Sequence, residues 1–550
     1  MSRIHTVVLA VLVVSSLAAT PLAAAGVGEG TTADVRSDAP TAGELTYVGE
    51  DDDPSTEGTI GYVEGVRYDD DLPVDDREDA VVPDDDLEAV VHRSMARVEV
   101  IRELTFEAAV PVEVITREEF AAESAGEFEA FGDDERQFEN VRLEALFMVD
   151  RETDAVEAYE TLYGDAVAGY YDIEAEEIVL VSEDTANPEL DEVTLGHELL
   201  HALQDQQFGL GTYERETTNQ DHAALGLIEG DAVWVDTRYE AYCEHGWDCT
   251  LPETEPDPPA EINVGISLSM FQPYNDGPDY VEATLRDGGW DAVDAVYGDP
   301  PASSSEVIRP GEDREPVEID LEDASSAEWD RIERAGAPDH DTFGEAGLAS
   351  MFMAQTLETG ESIGLSRIDV FDGFTSYNYD HDVTDGWAGD EFAAYTTGEE
   401  TAFVWQSEWT DEAEAETFGE GYREILEHHG NADGDAGVFV IEETFPGAYY
   451  IEQDGETVTV VRAPSVDDLS DVHDGVDVIE RDDGTGDEAD DGTGDEADDG
   501  TDDEADDGTG DEADDGTGDE TDGEVDDIPG FGVPAALAAL LALAAIRRLA

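Results

Sequence analysis

Lysine is missing from this chain of 550 residues: all 24 of its basic side chains are arginine, against 143 Asp and Glu. So little positive charge leaves no basic patch to neutralise phosphates, which excludes nucleic acid as a partner. A formal net charge of -119 also repels itself, unless salt shortens the Debye length, which falls to about 3 Å at 1 M. The composition is that of a protein working in concentrated salt. Cysteine is nearly absent as well. Cys243 and Cys249 are the only two, too few for a disulfide framework and, even with His245, one ligand short of a tetrahedral metal set. In an oxidising exterior they are expected to form one local disulfide. No Asn-x-Ser/Thr sequence occurs, which argues against ordinary N-glycosylation. No apolar run reaches the roughly 20 residues of a membrane-spanning helix.

What apolar runs exist lie at the ends. Residues 1–25 carry Arg3, an apolar stretch from Val7 to Leu17 and Ala23-Ala24-Ala25, the three parts of a secretory signal. At the other end Pro529-Gly530-Phe531 precedes an apolar run from Gly532 to Ile546, closed by Arg547 and Arg548. That order resembles the PGF-CTERM sorting signal of haloarchaeal surface proteins. The resemblance implies that an archaeosortase removes residues 528–550 and attaches a lipid anchor, leaving the protein secreted and held at the outer face of the membrane or its surface layer. A repeat of the form Asp-Asp-Gly-Thr-Gly-Asp-Glu-Ala runs up to Asp527. It has no position to bury and no Gly-Gly-plus-apolar pattern of a calcium β-roll, so 471–527 reads as a disordered acidic spacer. This tail does not account for the charge. Asp482 to Asp527 holds 25 of the 143 acids and leaves 118 elsewhere. Residues 26–82, rich in Asp, Gly and Thr, read as a second loose segment.

Chemistry concentrates at His197-Glu198-Leu199-Leu200-His201. The segment from Asn187 to Phe208 reads as one buried helix, with Asn187 as N-cap, Pro188 at the first position and Glu189, Asp191 and Glu192 near the positive end of the dipole. On a helix, positions four apart share a face, so His197 and His201 both present imidazole to one ion while Glu198 stands beside them. With 11 His in the chain, such a string arises by chance in about one chain in fifty. Catalytic zinc takes three protein ligands and water, whose pKa falls to about 7, and an adjacent carboxylate accepts the proton. Glu198 fits that base. The third ligand is not where a metzincin has it, because Gln204 and Gln207 hold the places of its Gly and His. It is sought in a second helical stretch, Gln220 to Tyr242, around Glu229-Gly230-Asp231-Ala232. Glu229 is the choice. His222, two turns before it, is an alternative ligand or transition-state donor, and Asp205 and Asp231 are candidates to hold a histidine N–H.

This arrangement resembles the gluzincin metallopeptidases, in which a glutamate from a following helix joins the two histidines. Further pieces are similar to secreted prokaryotic proteins related to that clan: Gly169-Tyr170-Tyr171-Asp172, Pro300-Pro301-Ala302-Ser303-Ser304-Ser305-Glu306 and Gly386-Trp387-Ala388-Gly389-Asp390. The resemblance covers roughly residues 85–465 and implies one Zn2+ held by His197, His201 and Glu229, with a peptide or protein substrate. It has departures. Arg309-Pro310 stands where a His-Pro pair is expected, and no residue matches the Tyr or His that helps bind the oxyanion. The hairpin from Val167 to Ser182, with Ile178 to Val181 as second strand, corresponds to a sheet edge that binds extended peptide, or is a plain core hairpin.

The fold class is therefore α+β: a zincin-like domain over 83–315, a boundary at Pro310 to Pro316, and a second α+β part over 316–470. Within the first, a helix is predicted from Asp86 to Leu104, a strand from Val110 to Ile115, and a capping box at Thr116 and Glu119. Within the second, helices are predicted from Phe343 to Leu357 and Asp411 to His428, with strands around Phe392 to Trp409 and from Gly437 to Val461. Two function classes follow: a cell-surface zinc metallopeptidase with Glu198 as base, or a surface protein that keeps the same site as a structural or inactive one. An intact Glu198 favours the first.

Overall fold

The computed structural model describes residues 58–476, apart from 78, 165–166, 214, 253–262, 313, 373–375 and 433–436. The expected signal, the acidic spacer beyond Val476 and the sorting segment, with Pro529, Gly530 and Phe531, lie outside the described residues.

The architecture is mixed α+β. Helix α1 (Asp84–Arg102), helix α2 (Glu192–Phe208) and helix α3 (Thr218–His245) pack beside a three-stranded sheet of β1 (Val112–Ile115), β2 (Gly169–Asp172) and β3 (Glu177–Val181). Their apolar faces interlock through Val90, Met95, Ile178, Leu199, Leu203 and Tyr239. Strand β3 is central, parallel to β1 and antiparallel to β2. Ile178 to Val181 is thus not a free edge. Both of its sides are already hydrogen-bonded, and the edges are Val112 to Ile115 and Gly169 to Asp172.

Helix α2 begins later than expected. Its N-cap is Asp191, whose carboxylate accepts the Val193 and Thr194 N–H groups. Asn187 and Pro188 lie outside it, because the backbone there pairs with residues 80–82: Val82 donates to the Pro188 carbonyl and Leu190 to that of Ala80. An extended pairing and a helix cannot share those residues. Glu192, now the first helical residue, is fully buried. Its carboxylate accepts Arg93, Arg97, Ser94, the Tyr239 hydroxyl and the Thr250 N–H. Thr250 follows the Cys243–Cys249 disulfide directly, so that loop is tied to the start of α2.

Helix α3 is capped by Thr217 and Gln220 and crosses helix α4 (Val264–Gly288) almost without side chains between them. A Cβ on Gly230 would lie 2.4 Å from the Gly277 carbonyl carbon, and one on Gly277 2.4 Å from the Gly226 oxygen. Only glycine permits that approach.

The C-terminal half is a seven-stranded antiparallel sheet. Its long strands are β4 (Trp387–Thr396), β5 (Thr401–Trp409), β6 (Val438–Ile441), β7 (Gly447–Asp454) and β8 (Thr457–Ala463), in the order β6-β7-β8-β5-β4. Alternation sorts its faces. Phe392, Ala394, Phe403 and Trp405 join the largest core with helix α5 (Gly344–Thr359) and helix α6 (Glu412–His429), whereas Ala393, Tyr395, Ala402 and Val404 face a smaller cluster. Helix α6 is capped by the Asp411 carboxylate, and the Thr116–Glu119 capping box is present.

That largest core also contains Phe138, Leu146, Tyr159, Ile266 and Leu268, so apolar residues from both sides of Pro310 to Pro316 share one interior. Residues 58–82 are not loose. Val63, Val74 and Val82 are buried, the Glu99 carboxylate accepts the Gly61 N–H, and Arg93 binds Asp75. At the other end Val472 and Val476 are still buried, so the folded body extends past 470. No helix among the described residues is long and apolar enough to cross a membrane.

Candidate metal centre

His197 and His201 share the buried face of α2, and Glu229 meets them from α3. The Gly196 and Gly230 positions set that meeting. A Cβ on Gly196 would lie 3.0 Å from the Tyr239 ring, so its absence lets α2 close onto α3, while Gly230 lets α4 close behind Glu229.

The resulting geometry is specific. His197 Nε2 is 3.3 Å and His201 Nε2 3.4 Å from Glu229 Oε2, and one ligand atom from each of the three lies within 4.8 Å of the others. Ligands held about 2.0–2.1 Å from a tetrahedral ion stand about 3.3 Å apart. Neither pair makes a hydrogen bond. Both Nε2 atoms, both Glu229 oxygens and both Glu198 oxygens are buried without a hydrogen-bonding partner, and His197 is the most exposed of the four residues at 3%. Leaving six such atoms unpaired would cost about 1–3 kcal/mol each. Groups so placed aim at common space, and two imidazoles with a carboxylate are a fitting donor set for a divalent cation.

The charges of the protein groups agree. Burial pushes the Glu198 carboxyl up to about 7, against the pull of both imidazoles. For Glu229 burial is outweighed by His201 and His197, which hold its carboxyl well below the usual carboxylate range. Burial pushes His197 down, but the Asp236 and Glu229 carboxylates more than reverse this and hold it up at about 10. With two imidazoles prone to hold protons, cation binding would be accompanied by proton release.

The partners of the two imidazoles differ from expectation. Asp205 does not touch His201: it accepts the Tyr171 hydroxyl and the Leu210 N–H and so anchors the end of α2 to the edge strand. Asp231 touches neither histidine and accepts Arg102 and the Tyr297 hydroxyl. Instead His197 Nδ1 lies 3.1 Å from Asp236 and His201 Nδ1 2.9 Å from Gln204 Oε1. Both carried a signal. Asp236 stands seven residues after Glu229, on the same face of α3, and Gln204 three after His201. His222 is apart from the cluster, with Nε2 3.2 Å from the Ser269 hydroxyl.

Other quoted motifs serve packing. Asp390 accepts the Phe343 and Gly344 N–H groups and the indoles of Trp387 and Trp405, closing the start of α5 over the sheet. Ser304 binds Asn219 and Ala346. Arg309 pairs with Glu345, Asp380 and Asp385. Cys243 and Cys249 are joined as a disulfide, which removes both thiolates from any metal site.

A family model described as "Domain of unknown function (DUF8575)" matches residues 330–473, which hold the seven-stranded sheet and not the His–Glu cluster. No curated protein and no solved structure matches the chain.

Proposed function

We propose that this chain is a zincin-like metallopeptidase, secreted and anchored at the cell surface of a salt-adapted organism, with one zinc ion held by His197, His201 and Glu229. The supporting observation is the coincidence of six buried, unpartnered donor atoms on His197, Glu198, His201 and Glu229 with ligand spacings of 3.3 and 3.4 Å. Zinc in such a site supplies Lewis acidity toward a carbonyl oxygen and acidifies water. The protein groups do the rest. Glu198 accepts the proton of the attacking water and passes it to the leaving amine. Asp236 and Gln204 hold Nδ1–H, so that each Nε2 keeps its lone pair for the ion.

One observation favours the second reading, a surface protein with a structural site: all four side chains are nearly or wholly shielded from solvent. Zinc content and peptide hydrolysis of the mature chain in molar salt separate the two, comparing wild type with Glu198→Gln. Equal zinc in both, with hydrolysis lost by about 10²-fold or more in the variant, is the peptidase outcome. Zinc without hydrolysis in either supports the structural reading, and no zinc in either refutes both.

A further inference from the structure

His201 is oriented by a neutral amide, and that amide is itself held by a directional series of buried bonds. Gln204 Nε2 donates to the Ile228 carbonyl at 2.9 Å and to the Tyr297 hydroxyl at 2.8 Å. The Ile228 oxygen only accepts, so this end of the amide must be the NH2, and Oε1 must face His201 Nδ1. An acceptor there requires Nδ1 to carry the hydrogen. In the neutral imidazole that a cation requires, Nε2, the atom 3.4 Å from Glu229, is then the bare nitrogen. Tyr297 cannot reverse the series, because its hydroxyl donates onward to Asp231 Oδ2 at 2.8 Å and accepts from Gln204. Asp231 in turn accepts from Arg102, 3.0 Å away and itself bound to Asp294. Phe208 stacks on Tyr297 with ring centroids 4.1 Å apart, which limits the ring's freedom.

We infer that Gln204, Tyr297 and Asp231 form a positioning relay that locks His201 in the metal-ready tautomer, with Arg102 as its fixed end. This rests on the reading of His197, His201 and Glu229 as a zinc site. The relay joins α2 and α3 to the helix Trp290–Val296, whose C-cap is Tyr297. The ligand residue is thereby coupled to three separate elements.

The test measures the zinc dissociation constant by chelator competition, in molar salt, for the mature wild type, Gln204→Leu, Tyr297→Phe and the control Tyr379→Phe. The control removes a buried hydroxyl bonded to the Leu268 carbonyl, outside the relay. Gln204→Leu should weaken zinc by about 10–100-fold. Tyr297→Phe should weaken it less, since Ile228 still holds the amide. The cobalt-loaded forms of both variants, but not of the control, should show a shifted visible absorption band. Zinc binding within twofold of wild type in Gln204→Leu overturns the relay, as does an equal loss in Tyr379→Phe. If wild type itself takes up no zinc, the site reading has failed before any variant is compared.

Discussion

Gly230→Ala puts the contact behind Glu229 to the test. The new Cβ would lie 2.4 Å from both the carbonyl carbon and oxygen of Gly277. These are backbone atoms of α4 and cannot rotate away, so reaching an ordinary contact of about 3.4 Å requires the helices to part by about 1 Å. Overpacking of this kind costs about 1–3 kcal/mol, and the better helix propensity of alanine returns about 1 kcal/mol. The net loss of up to about 2 kcal/mol lowers the melting temperature by as much as a few degrees. The larger effect is on the neighbour. Glu229 moves with the backbone, and separations of 3.3 and 3.4 Å from the two imidazoles do not survive a 1 Å displacement. Zinc affinity should therefore fall by about tenfold or more. The assay is thermal unfolding in molar salt with and without zinc, plus chelator competition, with Gly126→Ala as control. Gly126 has open space where its Cβ would go, so alanine there should stabilise slightly and leave zinc binding alone. A Gly230→Ala protein that melts within 1 °C of wild type and binds zinc equally would refute the argument.

Three further outcomes are expected. Asp236→Ala removes the acceptor 3.1 Å from His197 Nδ1 and should weaken zinc by about 10–100-fold; unchanged affinity in the competition assay counts against this orienting role. Replacing Cys243 and Cys249 by serine frees a seven-residue loop worth about 2 kcal/mol, and should raise hydrogen exchange at the start of α2, where Thr250 meets Glu192; exchange confined to residues 243–249 would contradict that coupling. His381 is buried, and desolvation pushes its imidazole down to about 4. Its folded pKa is thus depressed below the unfolded value of about 6.5. The unfolded chain binds more protons between those values, so stability from this site is present above pH 6.5 and lost as pH falls toward 4, by about 3 kcal/mol at most. His381→Gln should show a shallower loss than wild type over that interval in denaturant titrations, and an equal slope would remove His381 as a cause.

Much of the fold could be read locally. The periodic apolar positions of α1, α5 and α6, the Asp411 and Thr116 caps and the alternating strands β4 and β5 obey rules that act within a few residues. The pairing of His197 with His201 is likewise a property of helical spacing, and the choice of Glu229 came from its place on the next helix. The limits appear where distant segments compete. Asn187 and Pro188 have good helix-starting chemistry, yet pairing with residues 80–82 takes their backbone and moves the start to Asp191. Likewise Asp205 and Asp231 had suitable chemistry and spacing, but Tyr171 and Arg102, from other elements, claim them.

The sequence by itself determined the surplus of acid, the helix that aligns two histidines with a glutamate, and the glycines at 226, 230 and 277. Only the tertiary structure decided that those glycines face each other, that Glu229 reaches His197 and His201, and that Asp236 and Gln204 hold the imidazoles. Periodicity sets which face a side chain occupies, whereas the partner of that face is set by packing between segments far apart in the chain.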